Sequence, residues 1–282
     1  MGYRKAEWAA GAALFCVVLF CSAWVSAATI VAYDDAADPV YTSGNNYHNF
    51  NGGFGLGPWQ TNGFPVGGNP NLQAFVSTSS VNGPPGPDID TAGRAWGNNA
   101  VPGGNTFLAK RSLLADLTVG GTFSILMDTG SCDGREQVQF GLNNSAMCQF
   151  YFDDSTANYQ FYDAFTNTTI DTGILQTFGG LKLTVTRLAP ALYDFQAVRL
   201  TDSLTFSFGG TYDTSIITGI RTILVSNQDG GANLGHSMYV NSIEATIVPE
   251  PAAMCGIAGG AGIALLRRRR REQSPIAMTN HQ

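Results

Sequence analysis

Leu181-Lys182-Leu183-Thr184-Val185-Thr186-Arg187 alternates apolar and polar residues without a break. Successive side chains of a strand point to opposite faces, so this period of two reads as a strand with one face buried. A helix would need apolar residues three and four apart, yet the places three after Leu181 and Leu183 are threonines. The pattern recurs on both sides. Gln137-Val138-Gln139-Phe140-Gly141-Leu142 alternates before it, and Leu204-Thr205-Phe206-Ser207-Phe208 after it, ending at Gly209-Gly210. Residues 122–128 (TFSILMD), 149–152 and 159–162 are rich in β formers, the last two separated by the acidic turn Asp153-Asp154-Ser155-Thr156. Residues 220–226 and 238–247 complete the series, with a polar, glycine-containing loop at 227–235 between them. Many short strands with turn signals between them predict an all-β protein, a sandwich or a barrel. At most one helical turn is expected, at 112–117, and no repeat of fixed period is visible.

Ahead of this strand-rich part, 106–247, lies a loop-rich part, 28–105, dense in Gly, Asn and Pro with scattered aromatics. Short strands are expected to interrupt it, for example near 73–77 and 106–110. The two parts together have the size of one large β domain, 28–247. The chain is only 13% charged and holds 34 glycines, a balance that suits an extracellular β protein better than a helical one. Between Ala28 and Pro251 there are 8 basic and 19 acidic residues, a net charge of −11. That surface excludes nucleic acid as a partner, since phosphate contact needs basic residues. It permits cations or a neutral polymer such as exopolysaccharide.

Both ends carry addresses. Arg4 and Lys5, an apolar stretch at 9–25 and then Val25-Ser26-Ala27 make a secretory signal peptide, 1–27, cut after Ala27. At the other end Val248-Pro249-Glu250-Pro251 precedes a small-residue apolar run, 252–266, and then Arg267, Arg268, Arg269, Arg270 and Arg271. Fifteen helical residues reach about 22 Å, short of a bilayer core of about 30 Å unless the flanking arginine stems are included. The arginines hold their end in the cytoplasm and leave the preceding chain outside. This order of motif, apolar segment and arginines, 248–271, resembles the PEP-CTERM sorting tail of exported bacterial proteins. The polar extension 272–282 departs from it. The resemblance implies an exosortase-type membrane enzyme as partner. It also implies passage through the inner membrane on the way to the cell envelope or extracellular matrix.

Residues 122–247 resemble the laminin-G/concanavalin-like jelly roll. The likeness rests on 183–187 (LTVTR), 193–195 (YDF), 206–210 (FSFGG), 223–227 (ILVSN) and 239–243 (YVNSI). It implies a β-sandwich, with carbohydrate binding as one frequent use. Trp59 and Trp96, set among Gly and Asn with Tyr41, Tyr47 and Phe54 near in sequence, are the candidates to stack on sugar rings. Three acidic clusters offer the oxygen ligands that calcium takes: Asp34, Asp35 and Asp38; Asp153 and Asp154; and Asp229 with Asn227 and Asn233. The last is the preferred site. Cys132 and Cys148 are the only cysteines between the two addresses and are expected to pair in an oxidising compartment. Such a bond would contribute about 3 kcal/mol.

Signatures of catalysis are missing. His48 and His236 adjoin no nucleophile motif, and there is no Gly-x-Ser-x-Gly, His-Glu-x-x-His or P-loop. The Glu-x-Asp-x-x-Glu strand of concanavalin-like glycosidases is absent too, and only Glu136, Glu244 and Glu250 lie between Ala28 and Pro251. The expectation is a structural or adhesive protein that is not an enzyme. A carbohydrate-binding module is the alternative and a glycoside-cleaving enzyme the third reading.

Overall fold

The computed structural model describes residues 27–42, 46–62, 71–82, 88–231 and 233–248. The expected signal peptide up to Ser26, Pro249, Glu250 and Pro251 of the expected sorting motif, the apolar run and the five arginines lie outside them. Ile30–Ile247 forms one compact unit.

Its strands are β1 (Thr29–Asp34), β2 (Gln60–Thr61), β3 (Leu72–Ser77), β4 (Ala95–Ala100), β5 (Thr106–Ser112), β6 (Thr122–Thr129), β7 (Arg135–Leu142) and β8 (Ser145–Asp153). They continue with β9 (Asn158–Asp163), β10 (Thr168–Leu175), β11 (Leu181–Ala189), β12 (Leu192–Arg199), β13 (Thr205–Thr211), β14 (Thr222–Gln228) and β15 (Met238–Ile247). Two sheets result. One runs β13-β12-β11-β6-β15-β4-β3, with β1 also paired to β15, and the other runs β10-β9-β8-β7-β14-β5-β2. Neighbours are antiparallel in both, for example β11 with β6 and β14 with β7. The protein is an all-β sandwich of two antiparallel sheets. The helical turn expected at 112–117 does not form; Leu113 instead bridges to Leu56. Among the described residues no helix is long and apolar enough to cross a membrane.

The alternation read at 181–187 becomes β11, at the centre of its sheet. Leu181, Leu183 and Val185 are fully buried, and Leu183 stands opposite Ile125 on one side and Ala197 on the other. The inner faces interlock through aromatic rings. Phe195 lies 6.2 Å from Phe140 and 4.7 Å from Phe161, and Phe123 lies 6.1 Å from Phe140, each pair bridging the sheets.

The loop-rich part corrects the reading most. Its four strands join both sheets, and β4 is buried at every residue of AWGNNA. Such a sequence looks like loop because it lacks β formers. It is held as strand by its neighbours. Gly97 is required there because an added Cβ would stand 2.3 Å from the Phe75 ring. Asn98 donates to Met238 O at 3.3 Å and accepts from the Tyr47 hydroxyl. Asn99 donates to Ser237 Oγ at 3.1 Å and Asn233 O at 3.2 Å. Asn241 on β15 works the same way. It accepts from Ala36 N at 2.9 Å and donates to Ile89 O at 2.8 Å and Arg94 O at 3.0 Å, tying two loop segments to the sheet. These buried amides satisfy loop backbone groups that would otherwise be orphaned.

Candidate functional site

Trp59 and Trp96 are fully buried, and this corrects their reading as sugar-stacking residues. Their rings meet edge to face at 5.1 Å, with Tyr47 5.2 Å from Trp59 and Tyr41 5.3 Å from Trp96. No ring face is left for a ligand. Tyr41, Tyr47 and Trp59 of the loop-rich part pack with Trp96 of β4 into the core. At its heart is a buried ion pair, Arg111 to Asp34 Oδ2 at 2.7 Å. The Arg111 guanidinium stands 5.5 Å from the Trp59 ring centre. It also donates to the Tyr41 hydroxyl at 2.9 Å, Asn51 Oδ1 at 3.1 Å and Gly52 O at 3.0 Å. Burial lifts the Asp34 carboxyl to about 6, against the opposing pull of Arg111.

The acidic clusters serve as local braces. Asn227 is buried; its oxygen accepts from Gly230 N at 3.0 Å and its amide donates to Glu136 Oε1 at 2.9 Å. Asp229 Oδ1 accepts from Gly104 N and Asn105 N at 2.9 and 2.8 Å. Asn233 Oδ1 caps the short turn Leu234–His236 through Gly235 N at 2.9 Å. The three oxygens that were to hold calcium thus point at three separate backbone sites. Asp35 and Asp38 likewise cap Ala37 N and Val40 N, and Asp153 binds Arg135 at 3.1 Å and Ser155. No three His, Cys, Asp or Glu side chains converge among the described residues.

The expected disulfide is also corrected. Cys132 and Cys148 are buried, free thiols. Cys148 stands opposite Phe140, whereas Cys132 precedes Arg135, which pairs with Asp153. The five residue steps from Arg135 to Phe140 span about 16 Å, far beyond the Cα separation of about 5.5 Å that a disulfide needs. Burial raises both thiols, which disfavours the thiolate needed for exchange. Dithiothreitol is therefore expected to leave the melting temperature unchanged to within about 1 °C, and both thiols to be alkylated only after unfolding. A thermal melt with and without reductant, followed by intact mass, checks this.

Two buried carboxyls escaped the sequence reading. Asp128 alternates with the inward Phe123, Ile125 and Met127, so it lies on the outer face of its sheet, opposite Tyr239. There Ser79 and Asn82 hydrogen-bond it, and Asp88 and Asp90 lie close by. Ser80 Oγ donates to Asp88 at 2.7 Å, and Thr78 Oγ1 donates to Asp90 at 2.6 Å. Burial, with the charges of Asp88 and Asp90, pushes Asp128 up to about 8. Glu136 alternates with Val138 and Phe140 and so lies between the sheets, where burial holds its carboxyl well above the ordinary range. Standing on opposite faces, the two do not flank a common substrate space as glycosidase carboxylates do.

An open cleft of about 280 Å³ lies where the β9–β10 turn meets β12 and β13. Asp163, at the end of β9, lines it with both oxygens held: Oδ1 accepts from the Tyr193 hydroxyl at 2.8 Å, and Oδ2 from Thr166 N at 3.1 Å and Thr166 Oγ1 at 2.5 Å. Leu188 and Leu192, 52% and 43% exposed, form an apolar wall. Opposite Tyr193 in the ladder sits Gly210, where a Cβ would come within 2.4 Å of the Tyr193 ring. Gly209, beside it on the same wall, has nothing within 4 Å of a would-be Cβ. The sequence reading took Gly209-Gly210 as the end of a strand. They lie inside β13, an outermost strand, where bare backbone commonly marks the close approach of a ligand or another chain. Two glycines within a strand of β formers were the signal that could have been followed.

No family model and no curated protein matches the chain. Among solved structures, the CBM2 module of the evolved Dit of Lactobacillus casei BL23 phage J-1 aligns with 80% of this chain and 98% of its own, at 11% identity and a TM-score of 0.46. Lectin II from Ulex europaeus aligns with 64% of this chain and 92% of its own, at 8% identity and a TM-score of 0.37. Scytalido-glutamic peptidase aligns with 39% of this chain and 61% of its own, at 14% identity and a TM-score of 0.30. Binding proteins and a peptidase thus stand side by side, and at these similarities none of them transfers an activity or a binding residue to this chain.

Proposed function

We propose that this chain is an exported cell-envelope or extracellular-matrix protein, structural and adhesive, sorted through its Val248-Pro249-Glu250-Pro251 tail by an exosortase-type enzyme. It acts by binding and assembly, without turnover, and its sandwich is a concanavalin-like jelly roll. One observation carries the reading: the folded unit fills the space between the two addresses. β1 begins at Thr29, two residues after the cleavage site at Ala27, and β15 ends at Ile247, one residue before the sorting motif. The buried core of the described residues runs from Ala32 to Ala245. The acidic surface suits a hydrated matrix and repels nucleic acid. The carbohydrate-binding alternative loses Trp59 and Trp96, whose rings are buried.

The test is intact mass and terminal sequencing of the protein from its native cells, fractionated into membrane, envelope and medium. The expected product starts at Ala28, ends near Pro251 and lies outside the inner membrane. A full-length C-terminus held in the membrane overturns the sorting claim.

A further inference from the structure

We propose that β13 is an interface strand, which pairs antiparallel with β13 of a second copy of this chain about a two-fold axis at Phe208. The dimer is one step of the assembly proposed above. It depends on the edges of the sandwich alone, so it forms or fails in solution whether or not the chain is sorted.

The open edge of a sheet is a row of N–H and C=O groups ready to take another strand. Proteins blunt such edges with short strands, charges, prolines, bulges or a covering segment. The other edges of this sandwich carry these devices. β2 has two residues. β3 exposes only Gln73. β1 is bridged at Tyr33 by Phe54, the two exchanging backbone hydrogen bonds at 3.0 and 2.9 Å. β10 carries Asp171, and its ladder breaks between Asp171 and Leu175, with Gly173 at a φ of 69°. β13 has none of these. Among the described residues it pairs only with β12, and its seven residues TFSFGGT stay in register throughout. It contains no charged residue and no proline, and Thr205, Ser207 and Gly209 are exposed.

Free ladder groups call for an extended strand as occupant, and three features make it a second copy. The first is charge. With 19 acidic and 8 basic residues between Ala28 and Pro251, two copies repel over most of their surface. At β13 they meet without opposing like charges. Of the acids that flank the strand, Asp202 is already paired with Arg199, and Asp213 lies beyond its end. The second is the order of residues. About Phe208, Thr205 falls opposite Thr211, Ser207 opposite Gly209 and Phe206 opposite Gly210. Small outward residues then face one another, and a large ring falls beside a bare position, a cross-strand pairing that supports an edge glycine. Gly209 has nothing within 4 Å of a would-be Cβ, which leaves the approach clear. The third is apolar surface at both ends of the strand. Leu192, opposite Thr211, and Leu204, next to Thr205, are 43% and 41% exposed. A two-fold pair uses the same strand in both copies, so it closes at the dimer and does not grow into a fibre.

The test is sedimentation equilibrium of residues 28–248, which hold the whole compact unit, from about 1 to about 100 µM. A monomer–dimer equilibrium is expected, with half of the chains paired at or below about 50 µM. Hydrogen exchange locates the contact. Amides within Thr205–Thr211 are expected to exchange more slowly at the high concentration than at the low one, and those of β10 to be unchanged. The double variant Ser207→Lys/Gly209→Lys sets lysine opposite lysine twice, at two exposed positions. It is expected to weaken the dimer 10-fold or more and to keep the melting temperature of the dilute parent. If the double variant does not fold, Ser207→Lys alone takes its place. The proposal is overturned if the protein is monomeric at the highest concentration, which would leave the edge to a strand of another protein. It is equally overturned if association continues past the dimer, if protection falls on another segment, or if the dimer survives in the lysine variant.

Discussion

Arg111→Ala is expected to destabilise the protein by about 3–5 kcal/mol, the largest loss of any single substitution considered. The guanidinium is fully buried 2.7 Å from Asp34, itself fully buried. Removing it leaves the carboxylate without its counter-charge in a low-dielectric interior, and orphans Gly52 O, Asn51 and the Tyr41 hydroxyl at the same time. The loss is expected to fall first around Tyr41, Asn51 and Gly52, which Arg111 on β5 ties to the sheet. Chemical denaturation measures the total, and tryptophan emission shifting to the red shows the release of Trp59. Adding Asp34→Asn to the variant removes the stranded charge and is expected to restore about half of the loss. If the double variant is no more stable than Arg111→Ala, the packing of the guanidinium over Trp59 outweighs its charge.

Stability is expected to fall as pH rises from about 4 to about 8, and Asp128→Asn to flatten that fall. In the folded protein the Asp128 carboxyl keeps its proton up to about 8, whereas the unfolded chain releases it near 3.8. Between those values the native state binds the extra proton, so each rise in pH favours unfolding. Asp34, raised to about 6, and Glu136, raised well above its ordinary value, act in the same direction. Asp88, Asp153 and Asp213 are lowered and act in the opposite sense, but their stabilisation is already complete above the ordinary aspartate value. The window from 4 to 8 therefore belongs to the buried acids. Asp128→Asn keeps the shape and cannot ionise. Above pH 8 it is expected to be more stable than the parent by at least about 1 kcal/mol, at most the roughly 6 kcal/mol that the full shift represents at 1.36 kcal/mol per unit. Below pH 4 the two should differ little. Denaturation midpoints at a series of pH values decide it; an unchanged slope in the variant would remove Asp128 from the account.

The strands legible in the sequence were those whose two faces see different surroundings. β11 and β7 alternate because one face packs on the aromatic core and the other does not. β4 and β10 were missed for opposite reasons. Every residue of β4 is buried and its amides bond to loops, while β10 is an outermost strand with most side chains in solvent. In neither case is there a contrast between faces for the sequence to record. The abundant asparagines read as turn formers. Asn98, Asn99, Asn227 and Asn241 are instead buried ties between loops and sheets, a role set by partners as far apart in the chain as Ala36 and Asn241.

By itself the sequence determined that the chain is a two-faced all-β protein, acidic over its middle part, with an address expected at each end. Alternation, net charge and terminal motifs are local or additive properties, and reading them needs no knowledge of contacts. Tertiary structure alone decided which aromatics are core and which cysteines are apart. It also decided that Asp163, Tyr193 and Gly210, from three strands and two sheets, meet at one cleft. Burial and proximity arise from contacts between residues distant in the chain, so a tryptophan among glycines reads the same whether it faces the core or the solvent.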